Sequence, residues 1–247
     1  MALHFGTRRF APPLFATVLV IVGAALGVRL GLWQLDRADQ KRELQDQFAT
    51  GAEQVKPLLA SDVENLPRYQ TVETRGRYDT AHQVFLDNMP SATGRAGFRV
   101  LTPFQYDGGA WILVDRGWVA MGATREQLPS VTVDTNERSI KGRIDELPRP
   151  GMRLAAPAST ETRWPRVLNF PEHAQLEQAL QRRLASRILL LDPEVDDGFE
   201  RVWTQHAEFG PDRHIAYAVQ WFALAATMLI VYVIANLKRI SHDSEFK

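Results

Sequence analysis

Three groups of side chains in this 247-residue sequence have types and spacings that could do chemistry. His214, Tyr217 and Trp221 recur at three- and four-residue intervals, so on a helix of 3.6 residues per turn they share one face with Ala218. Two readings stand side by side. The rings can form an aromatic belt at headgroup depth with the imidazole in water. Alternatively, a neutral imidazole can be an axial ligand of haem iron, with the adjacent rings packed on the porphyrin and its propionates reaching wet basic groups. The second group is Trp33, Arg37 and Lys41, spaced by four residues on one helical face. By itself it is an interfacial tryptophan with a solvated basic stripe. The third is VDRGW, Val114 to Trp118, which by itself is a strand-to-turn exit carrying a paired surface arginine.

The first two groups lie against uncharged runs. Phe10 to Val28 contains no charged residue, and neither does Ile215 to Leu237, where Gln220 and Asn236 are the strongly polar members. Each run reaches roughly the 30 Å thickness of a bilayer's hydrocarbon layer. Pro12 and Pro13 fall in the first turn, where missing N–H donors matter least. The first run is longer than a usual signal-peptide core and no clear A-x-A site follows, so a retained span is expected. Arg8 and Arg9 precede span one, and Lys238 and Arg239 follow span two. The positive-inside bias then puts both termini in the cytoplasm and the domain between them outside a bacterial inner membrane, in the periplasm, or in its mitochondrial equivalent. The expected divisions are residues 1–9, a first span at 10–29, an outer domain at 30–213, a second span at 214–237 and a tail at 238–247.

Acids and bases balance at 29 each, so no overall basic field invites nucleic acid. There is no cysteine, which excludes disulfides, thiolate zinc sites and iron–sulfur ligation. No phosphate-binding loop, G-x-S-x-G elbow or H-E-x-x-H helix occurs, and no acid–base or nucleophilic pair is displayed, so an enzyme is not expected.

Between the spans, helical spacing of Leu32, Leu35, Leu44 and Phe48 carries the first helix outward until Gly51 and Pro57. Strands are expected at 71–78, 83–87, 98–104, 110–119, 139–144 and 187–191, with a hairpin at Asp107-Gly108-Gly109. A helix is expected from Pro171 to Arg183, and a loop from Leu147 to Pro165. Two transmembrane helices thus flank a mainly antiparallel α+β domain with one or two helices. Span one leaves the membrane near Trp33 and span two enters near His214. If the spans pack together, Trp33, Arg37 and His214 share a level suited to a lipid-soluble cofactor bearing carboxylates.

GLWQLDRADQK (Gly31 to Lys41), GRAGFRVLTPF (Gly94 to Phe104), VDRGWV (Val114 to Val119) and HIAYAVQWF (His214 to Phe222) together resemble the surfeit locus protein 1 family. The resemblance implies an assembly factor, not an enzyme, that helps place haem a in the catalytic subunit of cytochrome c oxidase. Haem A synthase and other oxidase assembly factors are candidate partners on this resemblance, with direct transfer from the synthase left open. It further implies His214 as the haem-iron ligand, Tyr217 and Trp221 as an apolar wall, and Trp33 as part of the same site. Arg37 or Arg116 is then the candidate partner of a propionate, through the bidentate fit of guanidinium to carboxylate. A haem-free scaffold is the competing expectation, with Trp33 and Trp118 as anchors against the nascent oxidase subunit.

Overall fold

The computed structural model describes residues 3–5, 8–10, 12–51, 54–124, 127–149, 163–203 and 210–239. The chain begins with strands β1 (Leu3–Phe5) and β2 (Arg8–Phe10) and helix α1 (Leu14–Thr50). Next come β3 (Lys56–Pro57), β4 (Thr71–Tyr78), β5 (Val84–Leu86), β6 (Gly97–Tyr106), β7 (Ala110–Ala120) and β8 (Arg138–Asp145). Then follow β9 (Arg166–Leu168), α2 (His173–Leu180), β10 (Ile188–Leu191), α3 (Pro211–Asn236) and β11 (Leu237–Arg239). Contacts divide the chain into two units, residues 1–44 with 207–247 and residues 45–206.

In the first unit α1 and α3 pair side by side. Both are long and apolar enough to cross a membrane. Most of their large apolar side chains stay outside the pair: Phe15 is 81% exposed and Ile234 66%. An apolar surface of that extent suits hydrocarbon and is costly in water. The seam is made instead from Ala24, Gly27, Gly31 and Ala38 on α1 and Ala218 and Ala225 on α3. Small residues at four-residue spacing let helix backbones approach closely. A Cβ added to Gly27 would lie 3.1 Å from the Ala225 Cβ and 3.3 Å from the Trp221 carbonyl oxygen. Gly23 faces Met228 and Gly31 faces Phe222, so the helices run antiparallel. Thr17 Oγ1 and Tyr232 Oη share a 2.6 Å hydrogen bond across the seam. β2 pairs antiparallel with both β1 and β11, with Phe10 opposite Leu237. The helix begins at Leu14, after Pro12-Pro13, and Phe10 lies in the preceding strand.

The second unit contains a closed barrel. β4 pairs antiparallel with β8 and β6, β8 with β10 and β6 with β7, while β10 runs parallel to β7. These five strands close on one another, leaving no free edge within the ring. Alternation turns Val72, Tyr78, Phe104, Ile112, Val114, Ile140, Ile144, Leu189 and Leu191 into one buried core. α2 lays Leu176 and Leu180 against Val84, Leu101, Leu113 and Leu190. β5 and β9 extend the sheet beyond β6, and β3 beyond β4. The architecture is α+β, and three of the pairings (β10–β7, β3–β4 and β5–β9) are parallel.

The last residues of α1, from Gln45 to Thr50, belong to this unit. The Arg143 guanidinium sits 3.9 Å from the Phe48 ring centroid and donates to the Phe48 carbonyl at 2.9 Å. Gly51 ends the helix where a Cβ would collide with the Tyr69 carbonyl. The Asp107-Gly108-Gly109 hairpin is a tight turn in which all three residues have positive φ. Of the expected loop at 147–165, residues 150–162 lie outside the described residues. So do the end of the tail, 240–247, and the side chains of Arg8, Arg9, Lys238 and Arg239.

Candidate functional site

His214 stands in the first turn of α3, after Pro211 has set the helical φ without wasting an N–H. Its Nδ1 lies 2.7 Å from Oε1 of Gln34 on α1. Among the described residues Nε2 has no hydrogen-bond partner. The contact fixes the level of the site, because Gln34 follows Trp33 directly and precedes Arg37 by three positions. Trp33 is 48% exposed and Tyr217 43%. Trp221 is half-buried, with its backbone carbonyl over Gly27.

Helical rotation of about 100° per residue places the flanking groups. Counted from Gln34, Trp33 lies about 100° back around α1 and Arg37 about 60° back. Counted from His214, Tyr217 lies about 60° back around α3. In an antiparallel pair, equal-signed rotations open onto the same flank. One side of the helix pair thus carries an imidazole, two exposed aromatic rings and a guanidinium. Arg37 stands 5.6 Å from the Trp33 ring centroid and donates to Gln40 Oε1 at 2.8 Å, leaving further N–H groups for an outside acceptor.

These residue types fit a flat apolar ring with carboxylate arms. Nε2 is an available nitrogen donor, the exposed rings offer π-faces, and the remaining Arg37 donors match a carboxylate. Among the described residues no cluster of three or more histidine or carboxylate side chains could enclose a metal ion by itself.

Arg116 does different work, and its assignment as a propionate partner needs correction. It is 2% exposed, inside the second unit. Its Nε donates to the Asp197 carbonyl at 2.7 Å, and Nη1 to the Val131 carbonyl at 2.8 Å and to Gln83 Oε1 at 3.1 Å. Phe199 and Tyr78 cover the guanidinium, with centroids at 4.9 and 5.6 Å. Burial lowers its pKa from the ordinary arginine value. A guanidinium held in this way has little left for an external carboxylate.

The cause is a bulge in VDRGW. Arg99 pairs with Trp118 and Leu101 with Asp115, so Val100 opposes two residues of β7, Arg116 and Gly117. Gly117 takes φ 107°, and a Cβ there would meet Arg201 and Glu200 at 2.7 and 2.8 Å. Only glycine adopts that conformation easily. Asp115 is fully buried in an ion pair with Arg99 and accepts the Gly117 N–H at 3.0 Å. Burial pushes its carboxyl above the usual aspartate value, while Arg99 and the Gly117 N–H pull it back. Trp118 is also buried, its Nε1–H donating to the Met89 carbonyl at 2.8 Å, so it is no exposed anchor. Its ring fills the space that makes Gly97 of the GRAGF stretch a glycine.

A cavity of about 240 Å³ opens on this unit beside Met89, Arg99, Trp118 and Trp203. The charged groups at its wall are already paired: Arg99 with Asp115, and Glu200 with Arg95 and Asp145 with Arg68, each of these two at 2.6 Å.

Gln34 and the glycines at 23, 27 and 31 are the site residues that motif spotting passed over. The glycine spacing was visible in the sequence as small-xxx-small; the Gln34 contact was not, because its partner lies 180 residues away.

The SURF1 family profile matches residues 21–226, which includes the glycine seam, VDRGW and the His214 face. A SURF1-like protein of Rickettsia felis is 24% identical over 228 residues, covering 91% of this chain and 98% of its own. One from Rickettsia conorii is 24% identical over 238 residues, covering 91% and 92%. An uncharacterized SURF1-like protein of Mycobacterium tuberculosis is 25% identical over 211 residues, covering 78% and 72%. With most of its length matched, the chain belongs to the SURF1 family, whose members are in general oxidase assembly factors.

Proposed function

We propose that this protein receives haem a at the His214 end of the helix pair and passes it to the catalytic subunit of cytochrome c oxidase. The observation that carries the reading is the convergence at one level of a His214 Nε2 that has no partner among the described residues, exposed Trp33 and Tyr217, and exposed Arg37. His214 holds the iron through Nε2. Tyr217, Trp33 and Trp221 exclude water from the ring faces, and Arg37 holds a propionate by charge-assisted N–H donation. A single protein nitrogen suits a carrier, since permanent cytochromes usually fix both axial positions. The haem itself supplies the redox and oxygen chemistry once it resides in the oxidase.

On this reading the helix pair sits in a bacterial inner membrane, both termini are cytoplasmic, and unit two faces the periplasm beside the oxidase subunit and haem A synthase. Arg8, Arg9, Lys238 and Arg239 support that orientation through the positive-inside bias. The deciding experiment purifies the parent protein and His214→Ala from cells that make haem a. Loss of haem from the variant is expected. Equal haem content with an unchanged spectrum refutes the reading, and a cofactor-free protein that still restores oxidase assembly establishes the scaffold instead.

A further inference from the structure

We infer that Gln34 is a positioning residue that keeps the proton of His214 on Nδ1 and so keeps Nε2 bare for a metal. The inference rests on the reading of His214 as a ligand, but its physical core can be tested without any metal.

Gln34 Oε1 lies 2.7 Å from His214 Nδ1. An amide oxygen only accepts hydrogen bonds, so with Oε1 turned to the ring Nδ1 is the donor, whereas the amide NH₂ turned there would make Nδ1 the acceptor. In the neutral imidazole, one nitrogen carries the proton and the other a lone pair. The opposite tautomer would set the Nδ1 lone pair against the oxygen lone pairs and place a hydrogen on Nε2. The contact thus selects the ring form that can bind a metal through Nε2, as hydrogen bonds to the distal nitrogen do at metal-ligating histidines.

Two features make this contact more than an incidental surface bond. Gln34 is half-buried and continues the inner face of α1, one turn after Gly31 and one before Ala38. His214 is half-buried in the first turn of α3, and Ala218, one turn further on, closes the seam. The distance between the two side chains is therefore set by the glycine-rich packing, and the bond joins residues 180 positions apart.

The choice of an amide has a chemical consequence. A carboxylate in this place would accept the same proton, raise the basicity of the ring and strengthen its hold on iron. The neutral amide orients the ring without adding that charge. Orientation with modest basicity is what a donor needs if it must also let go.

The test uses the full-length protein in detergent, free of cofactor, with ¹⁵N-labelled histidine and at a pH above imidazole titration. The six histidines are resolved by comparison with His214→Ala. The expected spectrum shows His214 protonated on Nδ1 only. Gln34→Glu should keep that pattern, and Gln34→Leu should lose it. Ferric haem a is then titrated into each protein. Gln34→Leu should bind about 10- to 100-fold more weakly, and Gln34→Glu should release haem more slowly than the parent.

A parent spectrum with the proton on Nε2 overturns the inference, as does an unchanged tautomer in Gln34→Leu. A tautomer that switches while haem affinity stays equal in all three proteins overturns the positioning role. If the tautomer behaves as expected but His214→Ala binds haem as well as the parent, the ligand reading fails, the Nδ1 assignment stands, and the positioning role falls with its metal.

Discussion

WQLDR on α1 and VDRGW on β7 each bring an arginine within a few residues of a tryptophan, yet the fold uses them in opposite ways. Trp33 and Arg37 stay on the outer flank of the helix pair, in contact with each other and exposed. Arg116 and Trp118 are drawn inside the second unit, where backbone carbonyls take up their N–H groups. A guanidinium in a dry site is tolerated only when its donors are matched, and the bulge at Gly117 is what aims Arg116 at those carbonyls. The difference teaches that an Arg–Trp pair reports on chemistry only after its backbone is known. On a helix, neighbours stay on their own sides. At a bulged strand, one extra residue turns a surface side chain into a strut.

The largest effect is expected at Asp115. Asp115→Ala leaves Arg99 without its buried carboxylate and should cost about 3–5 kcal/mol, read by denaturant unfolding through tryptophan fluorescence of the full chain in detergent. A loss below about 1 kcal/mol would show instead the behaviour of an exposed pair. Next comes the comparison itself. Arg116→Leu strands the Val131 and Asp197 carbonyls and should cost about 3 kcal/mol, at 1–3 kcal/mol for each group left unsatisfied. Its haem content per folded molecule should not change. Arg37→Leu should do the reverse: stability within about 0.5 kcal/mol of the parent, and haem a affinity about tenfold lower, the loss expected of one charge-assisted bond. If both arginines move stability alike, the contrast between strut and open ligand group is broken.

Gly27→Leu drives a side chain into Ala225 and the Trp221 carbonyl, and overpacking of this kind costs about 1–3 kcal/mol. Here the sharper measure is local. The Gln34–His214 bond should be lost from the ¹⁵N-histidine spectrum while the barrel unfolds at the parent's denaturant midpoint. The smallest effect belongs to the hydrogen bond across the seam. A double-mutant cycle of Thr17→Val and Tyr232→Phe should give a coupling of about 0.6 kcal/mol, the usual value between membrane helices. A much larger coupling would mean that polar contacts, rather than small residues, hold the pair.

Much of the fold was legible because its signals are local. The strand expected at 71–78 forms with those bounds, and the 188–191 strand falls within the expected 187–191 run. Apolar alternation and Asp192-Pro193 mark them without reference to the rest of the chain. β9 was not legible: Arg166–Leu168 is a three-residue strand that exists only because β5 lies beside it. The parallel pairing of β10 with β7 is likewise a property of barrel closure, which no window of sequence encodes. At the site, the periodicity of His214, Tyr217 and Trp221 placed three groups on one helix face. The acceptor for His214 could not be read, since glutamine carries no distinctive motif and its partner is set by the packing of α1 on α3. The burial of Arg116 was not legible for a related reason, because a bulge depends on the strand opposite.

The glycine seam has a mechanical implication for the site at its end. Where backbones touch directly, there are few rotamers to rearrange, so the join has little capacity to absorb strain by local settling. A change in bilayer thickness would then be met by tilting both spans together, and the imidazole and its amide would travel as a fixed pair relative to the lipid surface.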